Sequence, residues 1–384
     1  MHLNKTKKNH YVPQLYLKAF KDNIGNIFVW SKSKNNIQLI RNLEKIAYTK
    51  NLYTIESKIS ENDKEVFKKM HKISPDNFMA NTVLDYLVYF LNDELANIVA
   101  KFESKSGEHN ELVAEYEKKF RDSINETISR NQELLFGLYE NDFNPLLQDI
   151  LRTENISFSK TEESLPMYFA TKLTAFVFEM FGRKISMLHA NDSPEIKAEF
   201  KSIVDKTREE FSPNPYYDFT HYILTQYFRT PKVLRSNFLF PELNAILQKH
   251  NIKFDSILIL IIHYQLVALL HVLIEDQYKL VLIKNKTNTP FITSDNPAVN
   301  TYASVVKNRA FKENEFEIYF PLSPKLAILF SNQYINPNMQ EDSNEAEIES
   351  EKQIEYWNKL IFDGSLSYVY SDSKALLEKM TTRL

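Results

Sequence analysis

The feature that most constrains this chain is a change of periodicity along its length. Short, β-branched and aromatic runs stand at both ends, and more than half the chain between them carries apolar residues at three- and four-residue spacing. Near the start, "NIFVWSKSKNNIQLI" at 26–40 predicts two strands, Ile27 to Ser31 and Ile37 to Ile40, joined by a polar hairpin loop. "NLYTI" at 51–55 is a candidate third strand. From about residue 64 to 276 the pattern is helical. It then gives way to "YKLVLIK", "FITSD", "FEIYFPL", "LAILFSN" and "SYVYS".

Strands at both ends around a helical middle have one economical arrangement. The predicted fold is α+β: a mainly helical body packed on a small mixed or antiparallel sheet built from N-terminal and C-terminal strands. We expect a single large domain over 1–384, comprising an N-terminal motif helix and hairpin (9–60), the helical body (64–276) and C-terminal strands (278–372). The acidic stretch at 339–360 reads as a solvated loop leading into a helix. No repeat or low-complexity linker divides the chain.

Composition removes several classes of function. There are only 5 glycines among 384 residues, and neither GxGxxG nor GxxxxGK[ST] occurs, so no nucleotide-cofactor loop is expected. The absence of cysteine excludes disulfides, zinc–thiolate sites and thiol catalysis, and agrees with a cytoplasmic protein. A formal net charge of −3 supplies no global basic field for nucleic acid. The basic N-terminus lacks the apolar region of a signal peptide. "SILILIIHYQLVALLHVLI" at 256–274 is long enough to span a bilayer. It carries His263, Gln265 and His271, and reads as a buried central helix, so no membrane partner is expected.

Four segments concentrate residues able to carry chemistry. "NHYVPQLYLKAF" at 9–20 predicts a short helix opened by Pro13 and presents His10, which serves either as a general base or metal ligand or as a buried anchor bonded to a backbone carbonyl. "QYFRTPKVLR" at 226–235 places Arg229 at a helix end, with Arg235 six residues on. Arg229 suits bidentate anion binding, a helix C-terminal charge, or an ion pair with Asp295 or Glu179. "FITSDNPAV" at 291–299 brings Thr293, Ser294, Asp295 and Asn296 to a strand end, either as a site or as an Asx-type turn. "YFPLSPKLAILF" at 319–330 is read as a structural turn between strands, since Ser323 and Lys325 lack SxxK spacing.

Together these segments resemble the domain-of-unknown-function family 4238, a largely bacterial family known by its HYVP signature. "IRNLEKIAYTKNLYTI" at 40–55 and "WNKLIFDGSLSYVYS" at 357–371 are similar to its pattern as well. The resemblance covers residues 9 to about 372. It implies a family without an established activity, so mechanism has to come from the residues.

The expected site is His10, Arg229 and Asp295, with Tyr11, Ser294, Asn296 and Arg235 as substrate contacts. His10 would be a base or metal ligand, Asp295 its orienter or a second ligand, and Arg229 a phosphate-facing cation. That set suits phosphodiester hydrolysis on nucleic acid or a nucleotide, with a divalent metal as the open cofactor question. The usual nuclease pattern is broken, because neither Glu315 nor Glu317 is followed two residues later by lysine. His263 and His271 lack HExxH spacing and read as core histidines. The alternative is a non-catalytic module of a bacterial assembly, in defence against phage, that senses an anionic ligand or forms a homo-oligomer or larger complex.

Overall fold

A computed structural model describes residues 8–50, 60–70, 81, 143–155, 215–235, 278–304, 316–332 and 344–382. In chain order these residues form β1 (Lys8–His10), α1 (Gln14–Lys18), β2 (Ile27–Ser31), β3 (Asn36–Ile40), β4 (Tyr48–Lys50) and α2 (Glu61–Met70). They continue with α3 (143–153), α4 (Pro215–Phe228) and α5 (Pro231–Arg235). The C-terminal part contains β5 (Lys279–Asn285), β6 (Thr293–Ser294), β7 (Val299–Asn300), β8 (Ile318–Pro321), β9 (Leu326–Ser331) and β10 (Glu345–Ile348). It closes with α6 (Glu351–Gly364), β11 (Tyr368–Ser371) and α7 (Lys374–Thr381). The described part is an α+β structure.

The two ends of the chain meet in one sheet, as the strand pattern required. Its order is β3-β2-β11-β6, antiparallel throughout, so the N-terminal hairpin is completed by strands from the C-terminal region. Asn35 takes a positive φ of 45° at the hairpin tip and accepts a hydrogen bond from the Trp30 indole at 3.3 Å.

The C-terminal strands do more than join a shared small sheet. They build a second, five-stranded sheet of order β10-β5-β9-β8-β7. The reason is burial: β8 and β9 are buried at every position, as a strand covered on both faces must be. The acidic loop expected near 345 is partly a strand, since β10 runs parallel to β5. Lys284 pairs with Glu345 at 2.6 Å and Lys286 with Glu347 at 3.0 Å, so the alternating acids of "EAEI" match one lysine of β5 and the lysine that follows it.

The N-terminal helix is shorter than the sequence suggests. Residues 8–10 pair with 48–50 as an antiparallel ribbon, and Pro13 is the N-cap of α1 rather than part of its first turn. The candidate strand at 51–55, the apolar segment at 256–274 and most of the expected helical body lie outside the described residues. Among the described helices none is long and apolar enough to cross a membrane. Helix α4 is buried on every face from Tyr216 to Phe228, as a helix without a polar stripe has to be.

Helix α6 joins the two larger sheets. It buries Ile354, Trp357, Asn358, Ile361 and Phe362, a three- and four-residue spacing that makes one continuous stripe. Phe362 stacks on Trp30 of β2 with ring centroids 4.7 Å apart, while Trp357 stacks on Tyr319 of β8 at 4.5 Å. Asn358 accepts the Ile292 N–H at 3.0 Å and donates to the Pro290 carbonyl at 2.9 Å, which fixes the approach to β6.

At the end of α6, a Cβ on Gly364 would stand 2.6 Å from Cγ1 of Val299. We expect Gly364→Ala to destabilise the protein by about 1–3 kcal/mol through overpacking. Urea unfolding should show a smaller penalty for the same change in a Val299→Ala background. Equal penalties in both backgrounds would contradict this close packing.

Candidate functional site

Arg229 follows α4 directly and is buried, with 1% of its surface exposed. Its Nε donates to the carbonyl of Tyr11 at 2.8 Å and its Nη2 to the carbonyl of His10 at 2.6 Å. The guanidinium fork therefore clasps the main chain of the HYVP segment from more than two hundred residues away. The Tyr11 N–H donates in turn to the Ala47 carbonyl at 3.1 Å. The His10 side chain points elsewhere. The Gln14 side-chain amide nitrogen lies 3.1 Å from its Nε2, and the ring leans on Tyr48 with centroids 5.7 Å apart.

Asp295 is buried just beyond β6. Its Oδ1 accepts the Leu366 N–H at 2.8 Å, and its Oδ2 accepts those of Ser367 at 2.7 Å and Tyr368 at 3.0 Å. Burial pushes the carboxyl above its usual range, while the three amides and the charge of Lys32 pull it down. The carboxylate thus organises the entry to β11. The local turn expected for Asp295 is made by its neighbour: Ser294 Oγ donates to the Asn296 carbonyl at 2.9 Å and accepts the Asn296 N–H at 3.1 Å. Asn296 reaches two more segments, accepting from the Thr230 hydroxyl at 2.6 Å and donating to the Gly364 carbonyl at 3.1 Å.

Tyr16 completes the junction. Its buried hydroxyl donates to the Pro321 carbonyl at 2.6 Å and lies 2.7 Å from Oγ1 of Thr293. Burial holds this phenol well above its ordinary pKa, with the Thr293 contact acting in the opposite direction. The four motif segments are therefore tied to one another by polar bonds. The Ser323 turn is structural, as expected, with its Oγ accepting the N–H groups of Lys325 and Leu326.

The expected constellation is only partly brought together. Arg229 meets His10 and Tyr11 through their carbonyls, and Asn296 meets the residue beside Arg229. Asp295 orients main-chain amides, where an imidazole partner or an Arg229 ion pair was envisaged. Arg235 ends α5, and its side chain lies outside the described residues, as do Glu179, His263, His271 and Glu315. Glu317 accepts from the hydroxyls of Thr301 and Ser331. Among the described residues no group of three or more His, Cys, Asp or Glu could hold a metal ion.

Two functional-looking side chains were not read from the sequence. Lys32, next after β2, donates to the Ser365 carbonyl at 2.7 Å. Lys232 of α5 donates to the Gly364 carbonyl at 2.6 Å and to that of Asp363 at 3.2 Å. Burial lowers the pKa of both, and Lys32 lowers that of Lys232 further, while Asp295 and Asp363 oppose the shift in each. Lys232 stands inside "QYFRTPKVLR", three residues after Arg229, so the motif itself was the available signal. Nothing around Lys32 announces it.

Fold and junction together define an α+β protein whose separated motif segments are joined by buried side-chain clasps. The chain belongs to the family described as "Protein of unknown function (DUF4238)", whose model matches residues 8–375. No curated protein and no solved structure matches it.

Arg229→Ala strands two buried carbonyls, at about 1–3 kcal/mol each, so we expect a loss of about 2–6 kcal/mol in denaturant unfolding. Arg229→Lys, which keeps the charge without the fork, should lose less. Tyr16→Phe removes one hydroxyl from a carbonyl and a threonine and should cost about 1–3 kcal/mol. Wild-type stability in either Arg229 variant would refute the clasp.

Proposed function

We propose that this chain is a non-catalytic binding module, a ligand-sensing or interaction component of a bacterial assembly, in which the HYVP junction holds the structure that presents the binding surface. The observation that carries this reading is the fate of two of the three expected reacting groups. Arg229 sends Nε and Nη2 to main-chain carbonyls, and Asp295 gives both oxygens to main-chain amides. A guanidinium that grips a phosphate, or a carboxylate that orients a base, needs those same atoms directed at substrate or imidazole. A cytoplasmic assembly, including one acting against phage, accommodates such a module. A helical body over 64–276 is part of the same reading.

One observation favours the hydrolytic reading. His10 is half-buried as a residue, where Arg229 and Asp295 are buried, and neither of its ring nitrogens is bonded to Arg229 or Asp295. In that reading His10 is the base for phosphodiester cleavage on nucleic acid or a nucleotide, with Tyr11, Ser294, Asn296 and Arg235 around the substrate and a divalent metal supplied from solution.

The two readings separate in one assay. The purified full chain, supplied with Mg²⁺ or Mn²⁺, is given bis(p-nitrophenyl) phosphate and single-stranded DNA. We expect no turnover above that of a His10→Ala preparation. Turnover that follows the wild-type protein and disappears in His10→Ala, with the melting temperature retained, would establish the hydrolase and overturn the module.

A further inference from the structure

We propose that Lys32 and Lys232 form an anion site at the C-terminal end of α6 that takes the phosphoryl group of a small, soluble phosphate monoester. The proposal rests on the reading of the chain as a binding module and names the ligand class that the module would recognise.

The first support is geometric. Lys32 Nζ stands 2.7 Å from the carbonyl oxygen of Ser365 and Lys232 Nζ stands 2.6 Å from that of Gly364, so consecutive carbonyls each hold an ammonium group, and Lys32 acts on Lys232 as a like charge. They arrive from opposite parts of the chain, one from the end of β2 and one from α5. Both side chains are only half-buried, which keeps the ammonium groups within reach of a ligand.

The second support is the count of donors. An ammonium has three N–H groups. Lys32 uses one on Ser365, and Lys232 uses two, on Gly364 and Asp363. Three N–H groups are left over, two on Lys32 and one on Lys232. A phosphoryl group offers three terminal oxygens as acceptors. The carbonyls that end α6 do not oppose such a ligand strongly, because the lysines already satisfy them.

Charge points the same way. Neither lysine forms an ion pair among the described residues. Asp363 pairs with Lys359 at 2.8 Å, and the Asp295 carboxylate is capped by three amides. Two partly desolvated cations thus share the field of carboxylates that are engaged elsewhere. Their lowered pKa values register the cost of that burial and, for Lys232, of its cationic neighbour. An incoming dianion would offset both. Beside the pair stands Phe362, whose ring centroid is 5.8 Å from Lys32 Nζ. Its ring provides an apolar contact for the organic part of a monoester.

The test uses the wild-type full chain. Its lysines are acetylated with a water-soluble N-hydroxysuccinimide ester while phenyl phosphate is titrated at constant ionic strength, and each site is read by peptide mass spectrometry. We expect saturable protection of Lys32 and Lys232, with labelling slowed at least about tenfold, and no protection of the exposed Lys374. Calorimetry should give weaker binding, by at least about tenfold, for Lys32→Gln and for Lys232→Gln, and retained binding for the Lys32→Arg, Lys232→Arg double variant. Absence of protection overturns the site. Equal protection by potassium chloride at the same ionic strength also overturns it, and protection by phosphatidic-acid vesicles alone overturns the soluble source in favour of a lipid headgroup. Should the Gln variants not fold, the wild-type protection result decides. Phenol release in the same tubes would count against the non-catalytic reading without touching the site, so the two failures are distinguishable.

Discussion

The rest of the structure depends on one guanidinium and two carbonyls. Arg229 closes a gap of more than two hundred residues when it bonds the main chain at His10 and Tyr11, with no solvent to share the charge. The first segment of the chain cannot hold itself by local structure, since β1 is three residues long and α1 five, too short to be stable alone; Val12, Tyr16, Leu17 and Phe20 are buried alongside the clasp. Once held, α1 delivers Tyr16 to Thr293 and Pro321, and its ring stacks on Phe320 at 5.0 Å. The clasp therefore fastens by polar bonds a segment whose apolar side chains lie in the core. A charge-assisted donor suits the task, because it bonds more strongly than a neutral one and its planar fork fits two adjacent acceptors.

A second set of bonds gathers on the turn after α6. Asn296 and Lys232 both donate to the Gly364 carbonyl, Lys32 donates to that of Ser365, and Asp295 collects the three following N–H groups. Every main-chain group from 364 to 368 named here would otherwise be a cost, since irregular backbone near a core has no ladder to satisfy it. Packing and polar satisfaction cooperate, with Trp357 and Phe362 setting α6 between the sheets and these side chains fastening its last turn. The same carbonyls that anchor the two lysines also hold their ammonium groups at the surface.

The sequence was legible where side chains alternate against a core. The hairpin at 27–40 and strands β5, β8, β9 and β11 announced themselves through period-2 or continuous apolar runs. Strand β10 did not, because its alternation is acidic and its acids pair with Lys284 of β5 and with Lys286 just after it. The short extent of α1 was hidden as well, since pairing of residues 8–10 with 48–50 is a tertiary choice that local propensity does not encode. Arg229, Asp295, Ser294 and Asn296 were singled out as site residues, and each makes buried polar bonds within the fold. Their partners were not foreseeable, because a main-chain carbonyl or amide has no signature in the sequence. Lys32 was invisible for the opposite reason: a lysine after an amphipathic strand looks like ordinary surface.

Residue types that suit catalysis also suit clamping, and the physics is the same. A carboxylate that accepts three amides could equally hold a metal, and a guanidinium that grips two carbonyls could equally grip a phosphate. What separates the two uses is whether those donors and acceptors are already committed to groups of the protein. In Asp295 both oxygens are, and in Arg229 the Nε and Nη2 donors are. In Lys32 and Lys232 three N–H groups are not, and both side chains are only half-buried. Chemistry at this end of the fold is therefore better sought at the rim formed by the two lysines than in the buried junction that supports it.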